Sequence, residues 1–376
     1  MIIAYTIPSI SNSGGMERTL SIKANYLVNK GYKVHIITTL VSKEKPFFHF
    51  DSKIQFHSTN LSSDNVKKKS LTVYLERLST ILSEIQPDIS ISMNVGHCTY
   101  LYKINDGSKK ILESHFSKFK RKNRFYKLEK IKWLKWIPYL YIRKKTHTIN
   151  QYDKFVVLTQ EDKNDWGNLY NIEVIPNMIP PIYYPENINY SNKKIIGVGR
   201  LTGQKGWGYM IKAWALIAKN NPDWKVTIYG NGHKRKALQK LINKYHINNS
   251  FKLHFPAKNI TEKFEKSSIF VSTSRYEGQS MVILEAMNSG LPVISFMCKC
   301  GPRDMISHGE NGYLIELYDI KSFAYYLQKL IDSKEKRQTL GKQAKNSLTE
   351  YSEKNIMNKW INLFDQLVSR PRRSLH

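Results

Sequence analysis

The sequence predicts an α/β protein made of two Rossmann-like domains in succession. Three observations carry this. The chain has 376 residues, and a soluble chain of that size divides into about two domains of roughly 100–200 residues each. Short apolar runs alternate with helical patterns in two series, as in open parallel sheets with helices on both faces. A polar stretch bearing Pro180, Pro181 and Pro185 separates the two series. With 41% hydrophobic residues, the chain has enough apolar material for real cores and too much for a disordered protein.

Taken in order, residues 1–6 form a short apolar run, like a buried parallel strand. A polar, Gly-bearing loop covers 9–15. Helical spacing of Leu20, Ala24, Leu27 and Val28 then marks a helix over 16–30. Gly31 stops that helix, and 33–39 (KVHIITT) is the next strand, completing a βαβ unit. Further strands are expected at 88–92, 110–113, 154–158 and 174–176, the last ending at a proline. Residues 177–192 read as a linker. The second series places strands at 194–198, 224–229, 251–255, 269–273 and 293–296, with helices at 207–219, 234–244 and 281–289. Three more helical segments end the chain.

The 59 Lys and Arg outnumber 30 acidic residues, a formal net charge of +29. Partners of such a chain are anionic: nucleic acid, an acidic membrane surface or phosphorylated small molecules. Three cysteines, Cys98, Cys298 and Cys300, are too few and too isolated for a disulfide framework or a four-ligand zinc site. The N-terminus lacks the basic region of a signal peptide. No run of about 18 apolar residues offers a transmembrane helix. The expected location is the cytoplasm, with the inner face of the cytoplasmic membrane as a peripheral site.

In open α/β sheets, ligands bind beyond the carboxyl ends of the strands, and the two chemistry-bearing motifs fall there. The first runs from Gly197 to Gly206 (GVGRLTGQKG) between a strand and a helix. Glycines allow close backbone approach, a helix N-terminus favours an anion, and Arg200 and Lys205 add two cations, a combination suited to a diphosphate. An ordinary tight turn with solvated charges fits the same residues. The second runs from Ser274 to Met287 (SRYEGQSMVILEAM) and ends at Gly290-Leu291-Pro292. Glu277 lies in a loop after a strand. Gly278, Gln279 and Ser280 lead into a helix whose first N–H groups point back into that loop. Glu285 lies inside this helix between Leu284 and Ala286, where a carboxylate needs partners: sugar hydroxyls, or a nearby lysine.

Two glutamates spaced as E-x7-E in this frame resemble the signature of the family 4 glycosyltransferases. G-R-x-x-x-x-K-G at Gly199 to Gly206 is similar to a second element of that family, in the same order. Ser13-Gly14-Gly15-Met16-Glu17-Arg18, Val174-Ile175-Pro176-Asn177, and Gly301-Pro302-Arg303-Asp304-Met305-Ile306 with Asn311-Gly312 resemble three more. The resemblance spans residues 1 to about 315 and implies the GT-B fold, two Rossmann-like domains facing across a deep cleft. It implies an N-terminal acceptor domain over 1–180 and a donor domain over 181–354. The last helix, about 355–369, would cross back to the first domain, with 355–376 packing on it.

The resemblance also implies roles. Arg200 and Lys205 would bind the donor diphosphate and offset charge on the leaving nucleotide. Glu285 would hold the ribose, and Glu277 would hydrogen-bond the transferred sugar. Gly199, Gly278 and the backbone of Gln279, Ser280, Met281 and Val282 would meet sugar and phosphate oxygens, and Gly15 would let the N-terminal loop approach the phosphates. His115, in Leu112-Glu113-Ser114-His115, resembles a histidine that faces the donor sugar in related enzymes. The activity implied is anomer-retaining, metal-independent transfer of a hexose or N-acetylhexosamine from a UDP- or GDP-sugar. No cofactor beyond that co-substrate is expected, and no metal, since Asp-x-Asp is absent. The acceptor would be a lipid-linked precursor of a cell-surface polysaccharide or lipopolysaccharide.

One feature lies outside these motifs. Between Lys118 and Lys145 stand twelve Lys and Arg against one acid, Glu129, interleaved with seven aromatic residues. Lys120, Arg121, Arg124, Trp133, Trp136 and Arg143 are candidates for contact with an anionic membrane or a lipid-linked acceptor. A solvated helix with a core-facing aromatic stripe is the plainer reading. A basic nucleic-acid-binding protein without enzymatic activity is the alternative function. It accounts for the charge and leaves both loop motifs without a purpose. Oligomeric state is not set by the sequence.

Overall fold

The computed structural model describes residues 1–12, 14–40, 45–61, 69–118, 136–182, 184 and 188–369. The chain divides into two compact units. One comprises Met1–Met178 with the C-terminal residues from Glu353 on; the other comprises Ile179–Ser352.

The first unit holds a seven-stranded sheet, every pair of which is parallel. Its strands are β1 (Ile2–Ile7), β2 (Lys33–Leu40), β3 (Gln55–Leu61), β4 (Ile89–Ser92), β5 (Lys109–Glu113), β6 (Lys154–Val157) and β7 (Ile172–Val174). The spatial order is β3-β2-β1-β4-β5-β6-β7. Helices α1 (Gly15–Asn29), α2 (Lys69–Ile85), α3 (Trp136–Asn150) and α4 (Gln160–Trp166) connect the strands, and α12 (Glu353–Val368) closes the unit. Side chains alternate between the two sheet faces. Ile3, Tyr5 and Ile7 join α1 and α12 in one core, while Ala4 joins α2 in the other. Burial on both faces explains why these strands read as continuous apolar runs. On α12, Ile356, Trp360, Leu363, Phe364 and Leu367 form one apolar stripe seated in the first core, at the spacing of a single helix face.

The second unit repeats the plan with six strands, β8 (Lys194–Val198), β9 (Lys225–Tyr229), β10 (Phe251–His254), β11 (Ile269–Ser272), β12 (Val293–Phe296) and β13 (Gly312–Ile315), in the order β10-β9-β8-β11-β12-β13. Helices α5 (Trp207–Ile217), α6 (Arg235–Lys244), α7 (Thr261–Glu265), α8 (Met281–Asn288), α9 (Pro302–Met305), α10 (Ile320–Asp332) and α11 (Lys334–Asn346) surround it. Ile195, Ile269 and Ile294 face one core; Ile196, Phe270 and Val293 face the other.

Chain direction across the sheet reverses between β8 and β11, neighbours with Ile269 paired to Ile195. At such a switch point the loops after two adjacent strands diverge to opposite faces and leave a crevice. The glycine-rich loop follows β8, and the Glu277 loop follows β11.

Three strand readings need correction. The run at 174–176 forms its strand earlier, at Ile172–Val174, because Pro176 has no N–H for the ladder. Strands β3 and β13 are additions. For the basic stretch, helix α3 begins at Trp136. Lys120, Arg121, Arg124 and Trp133 lie outside the described residues, while Arg143 is exposed on α3.

Candidate active site

The glycine-rich loop is drawn onto the end of β11 by Gly206. This residue has φ +63° and would place a Cβ 2.2 Å from the carbonyl oxygen of Thr273, so no side chain fits. The Thr273 hydroxyl donates to the carbonyls of Lys205 and Gly206, at 3.2 and 3.1 Å. Arg275 N–H donates to the Gln204 carbonyl at 2.8 Å, and the Gln204 amide donates to the Tyr276 carbonyl at 3.1 Å. The loops after β8 and β11 are therefore stitched together by backbone carbonyls.

That stitching sets Lys205 Nζ 2.7 Å from Glu277 Oε1, with the two side chains only 13% and 8% exposed. Arg200 stands at the solvent side of the same loop, its guanidinium 3.4 Å from Gln204 Oε1. A third loop supports the second: Glu277 N–H donates to the Lys299 carbonyl at 3.1 Å. Gly301, at φ +103°, would place a Cβ 3.2 Å from Gln279 Cα, so it lets the loop after β12 lie against Gln279 and Ser280.

Ser280 is the N-cap of α8 but its side chain makes no capping bond. Among the described residues, the Thr202, Ser274 and Ser280 hydroxyls are buried without a hydrogen-bond partner. Unsatisfied buried hydroxyls are uncommon, and three of them bracket the Lys205–Glu277 pair in sequence. The first N–H groups of α8, from Ser280 to Val282, have no intrahelical acceptor by position, and they carry the positive end of the helix dipole. Cations, hydroxyls and amides thus collect at the switch point, an arrangement able to hold an anion bearing hydroxyl groups.

Glu285 is 2% exposed, between the core residues Leu284 and Ala286. It stands one helical turn beyond Met281, and helical side chains lean toward the N-terminus. Its carboxylate therefore leans toward the same end of α8.

In the first unit, Gly15 is the exposed first residue of α1, and Gly14 is its N-cap. Glu17 folds back over this loop. Its Oε2 would lie 2.3 Å from a Cβ on Gly14, and Asn12 donates to its Oε1 at 3.4 Å. The geometry gives Glu17 a structural role, as the acid closing the first turn of a helix. His115 lies just beyond β5, its Nε2 3.1 Å from Glu113 Oε1. Burial alone would raise the Glu113 carboxyl, but Lys23 and then His115 reverse this and bring it down to about 2.

Sequence reasoning missed the supports Gln204, Thr273 and Lys299, which act through hydrogen bonds that motifs do not encode. It also missed a pocket of about 690 Å³ lined by Tyr229, His254, Phe255, Lys258 and their neighbours. The Tyr229 and His254 rings lie 5.4 Å apart, and the Arg235 guanidinium sits 4.2 Å from the Phe255 ring centre. The aromatic residue Phe255, left 65% exposed after β10, was the available signal. Among the described residues, no group of three His, Cys, Asp or Glu is placed to hold a metal ion.

Comparison with known proteins assigns this site to a class. Residues 13–182 match the model of Glycosyltransferase Family 4, and residues 184–347 match that of Glycosyl transferases group 1. The chain belongs to this glycosyltransferase family. It is similar to an uncharacterized glycosyltransferase of Haemophilus influenzae, 29% identical over 95% of this chain and 98% of that protein. It is also similar to the amylovoran biosynthesis glycosyltransferase AmsD of Erwinia amylovora, 28% identical over 96% and 98%. Its fold matches the crystal structure of a mutant of S. aureus TarM in complex with fondaparinux, alpha-GlcNAc-glycerol and UDP, with a TM-score of 0.77 and 17% identity over 97% of this chain and 99% of that one. The fold is GT-B, two Rossmann-like domains, and the enzyme is a glycosyltransferase of glycan synthesis. The family replaces the nucleic-acid-binding alternative.

Proposed function

We propose that this enzyme moves a hexose or N-acetylhexosamine from a UDP- or GDP-sugar to a lipid-linked glycan, with retention of anomeric configuration and without a metal. The observation that carries the reading is the Lys205–Glu277 pair, held at the switch point between β8 and β11. A cation there neutralises the departing diphosphate, and electrostatic stabilisation of that kind contributes more to such chemistry than any other single effect. Arg200 adds a second cation from the same loop. Glu277 is then shared between Lys205 and a hydroxyl of the transferred sugar, while Glu285 accepts the ribose hydroxyls. The N–H groups from Gly278 to Val282 and the hydroxyl of Ser280 meet sugar and phosphate oxygens. The rings of Tyr229, His254 and Phe255 offer the base a stacking surface. His115 is the group of the first unit that meets the transferred sugar.

Retention follows from attack on the face from which the diphosphate leaves, with the leaving oxygen taking the acceptor's proton. The UDP in the TarM complex supports a uridine donor, and the AmsD likeness supports a polysaccharide acceptor. The formal charge of +29 and the exposed Leu140 and Arg143 on α3 support contact with an anionic cytoplasmic membrane surface. Among the described residues, no helix is long and apolar enough to cross a membrane.

A panel of UDP- and GDP-sugars, read by thermal shift and by release of nucleoside diphosphate, identifies the donor. Glu285→Ala is expected to abolish turnover with the fold intact; near-normal activity in that variant removes the ribose assignment. Product NMR with an inverted anomer would overturn retention.

A further inference from the structure

Three cations, Lys234, Arg235 and Lys236, stand where α6 begins, with no acid in its first turn. A helix N-terminus is the positive end of the dipole and favours acids, so helix stability does not account for them. Lys234 and Lys236 are exposed, while Arg235 is half-buried and engaged. One of its Nη groups donates to the Gly230 and His254 carbonyls, at 2.8 and 2.9 Å, and the other to the Leu253 carbonyl at 3.2 Å. The guanidinium therefore closes the ends of β9 and β10. It also lies 4.2 Å from the Phe255 ring centre, within the range of a cation–π contact. Its Nε is buried without a partner, so the hold rests on the two Nη groups and the ring.

Phe255 is a ring in need of support. It follows β10, precedes Pro256 and is 65% exposed, so no core packs it in place. It lines the pocket of about 690 Å³ together with Tyr229 and His254. A stacking surface binds best when its rotamer is fixed before the ligand arrives, because ordering a side chain on binding costs affinity. A planar guanidinium fixed by three carbonyls supplies that order, which the point charge of a lysine does not. The same loop ties the ring to the diphosphate loop. A Cβ on Gly230 would lie 2.0 Å from the Gly199 carbonyl oxygen. Leu201 N–H donates to the Asn231 carbonyl at 2.8 Å, and Lys234 N–H donates to the Leu201 carbonyl at 3.0 Å. The β9 loop that Arg235 grips thus lies directly on the loop bearing Arg200 and Lys205.

We propose that Arg235 is the positioning residue of Phe255, fixing the ring as one wall of the nucleobase site at a set separation from the diphosphate loop. This rests on the reading of the Tyr229, His254 and Phe255 rings as the surface that stacks the base. It adds to that reading a residue outside the pocket lining, which acts through the ring.

The test uses the full chain and four variants: Arg235→Met, Arg235→Lys, Phe255→Ala, and Arg235→Met combined with Phe255→Ala. Calorimetry reads the affinity for UDP, for GDP and for inorganic pyrophosphate, which offers the diphosphate without a base. Fluorine NMR of protein labelled with para-fluorophenylalanine reads the ring, with the Phe255 signal assigned by its loss in Phe255→Ala. The nucleotide that the wild type binds more tightly is the reference. Phe255→Ala should weaken it about 10–100-fold, the range of a base–aromatic stack. Arg235→Met should shift or broaden the Phe255 signal and weaken the nucleotide about 5–10-fold, with pyrophosphate affinity held within about twofold. In the combined variant Arg235→Met should add little to Phe255→Ala, since the ring through which it acts is gone. Arg235→Lys should fall between Arg235→Met and the wild type. An unmoved Phe255 signal in a folded Arg235→Met protein overturns the proposal. Equal weakening of nucleotide and pyrophosphate overturns it too, and marks Arg235 as a brace for the loop alone. If Phe255→Ala binds the nucleotide as the wild type does, the base-stacking reading fails by itself, and the fluorine signal still judges whether Arg235 holds the ring. Should Arg235→Met fail to fold, Arg235→Lys carries the decision by the same two readouts.

Discussion

Each unit places a lysine–glutamate pair near the carboxyl end of its parallel sheet, and the two pairs are built for different work. Lys205 and Glu277 both belong to loops, are 13% and 8% exposed, and lie in a region where buried hydroxyls lack partners. Lys23 and Glu113 belong to a helix and a strand, are 0% and 1% exposed, and are closed by an indole and an imidazole. A loop pair with room around it can exchange its partner for a ligand. A core pair without room can only hold its neighbours still. The difference shows that burial and surroundings, more than residue type, decide whether an ion pair binds or braces.

The sharpest way to break this comparison is to remove one partner from each pair. Lys23→Met leaves the Glu113 carboxylate buried without its cation, which costs about 3–5 kcal/mol. Urea or thermal unfolding should show that loss, and the apolar double variant, Lys23→Met with Glu113→Leu, should recover most of it. A Lys23→Met protein as stable as the wild type would mean the core pair braces nothing.

In the loop pair the large effect should fall on turnover. Glu277→Gln keeps the shape and removes the charge that holds Lys205. Loss of one preorganised electrostatic partner typically lowers kcat about 10²–10³-fold, or about 2.7–4 kcal/mol. Release of nucleoside diphosphate measures it, and circular dichroism should be unchanged. A Glu277→Gln enzyme within about twofold of wild type would remove Glu277 from the site.

Acid separates the pairs in a third way. The Glu113 carboxyl is brought from 4.5 to about 2, so the folded state holds its proton less tightly than the unfolded chain does. The corresponding stability is complete above about pH 4.5 and is lost as pH falls through about 2, on the order of 3 kcal/mol. Unfolding free energies measured from pH 6 to pH 2 should fall less steeply in the apolar double variant. Equal slopes in the two proteins would contradict the pairing.

Why the loop pair was legible and the core pair was not follows from the same contrast. Arg200, Lys205, Glu277 and Glu285 stand in motifs where glycine, charge and helix start are contiguous, so position in the chain gives position in space. Lys23 and Glu113 are 90 residues apart, and a lysine within an amphipathic helix reads as a solvated face until the packing is known. Elements followed a similar rule. Strands β8, β11 and β12 fall within a residue or so of their sequence bounds because both faces are buried and the runs are mainly apolar. Strand β3 (QFHSTNL) is not legible in the sequence because it is an edge strand with only Thr59 and Leu61 buried, and an edge needs no continuous apolar run. The supports of the site, such as the Thr273 hydroxyl on two carbonyls, leave no trace in residue type.

The geometry beneath the loop pair gives a smaller, structural test. Gly206→Ala forces a Cβ to within 2.2 Å of the Thr273 carbonyl oxygen and keeps a positive φ. The strain should cost about 1–3 kcal/mol and should separate the β8 loop from the β11 loop, so KM for the nucleotide sugar should rise with it. An unchanged KM would detach the diphosphate reading from that loop contact.

The smallest effect is the most discriminating. Lys205→Met removes the cation of a pair that is slightly more exposed than the core pair, at 13% and 8%, so its cost to folding should lie between those of a screened surface pair and a fully buried one, on the order of 1–2 kcal/mol. The same change should nevertheless lower kcat as strongly as Glu277→Gln, since the diphosphate leaves from beside that cation. Lys23→Met is expected to do the reverse, with its main effect on stability. Measuring unfolding and turnover on both variants therefore gives a crossed pattern. If Lys205→Met destabilises the fold as much as Lys23→Met does, the loop pair is a brace as well, and the contrast in burial does not separate the two roles.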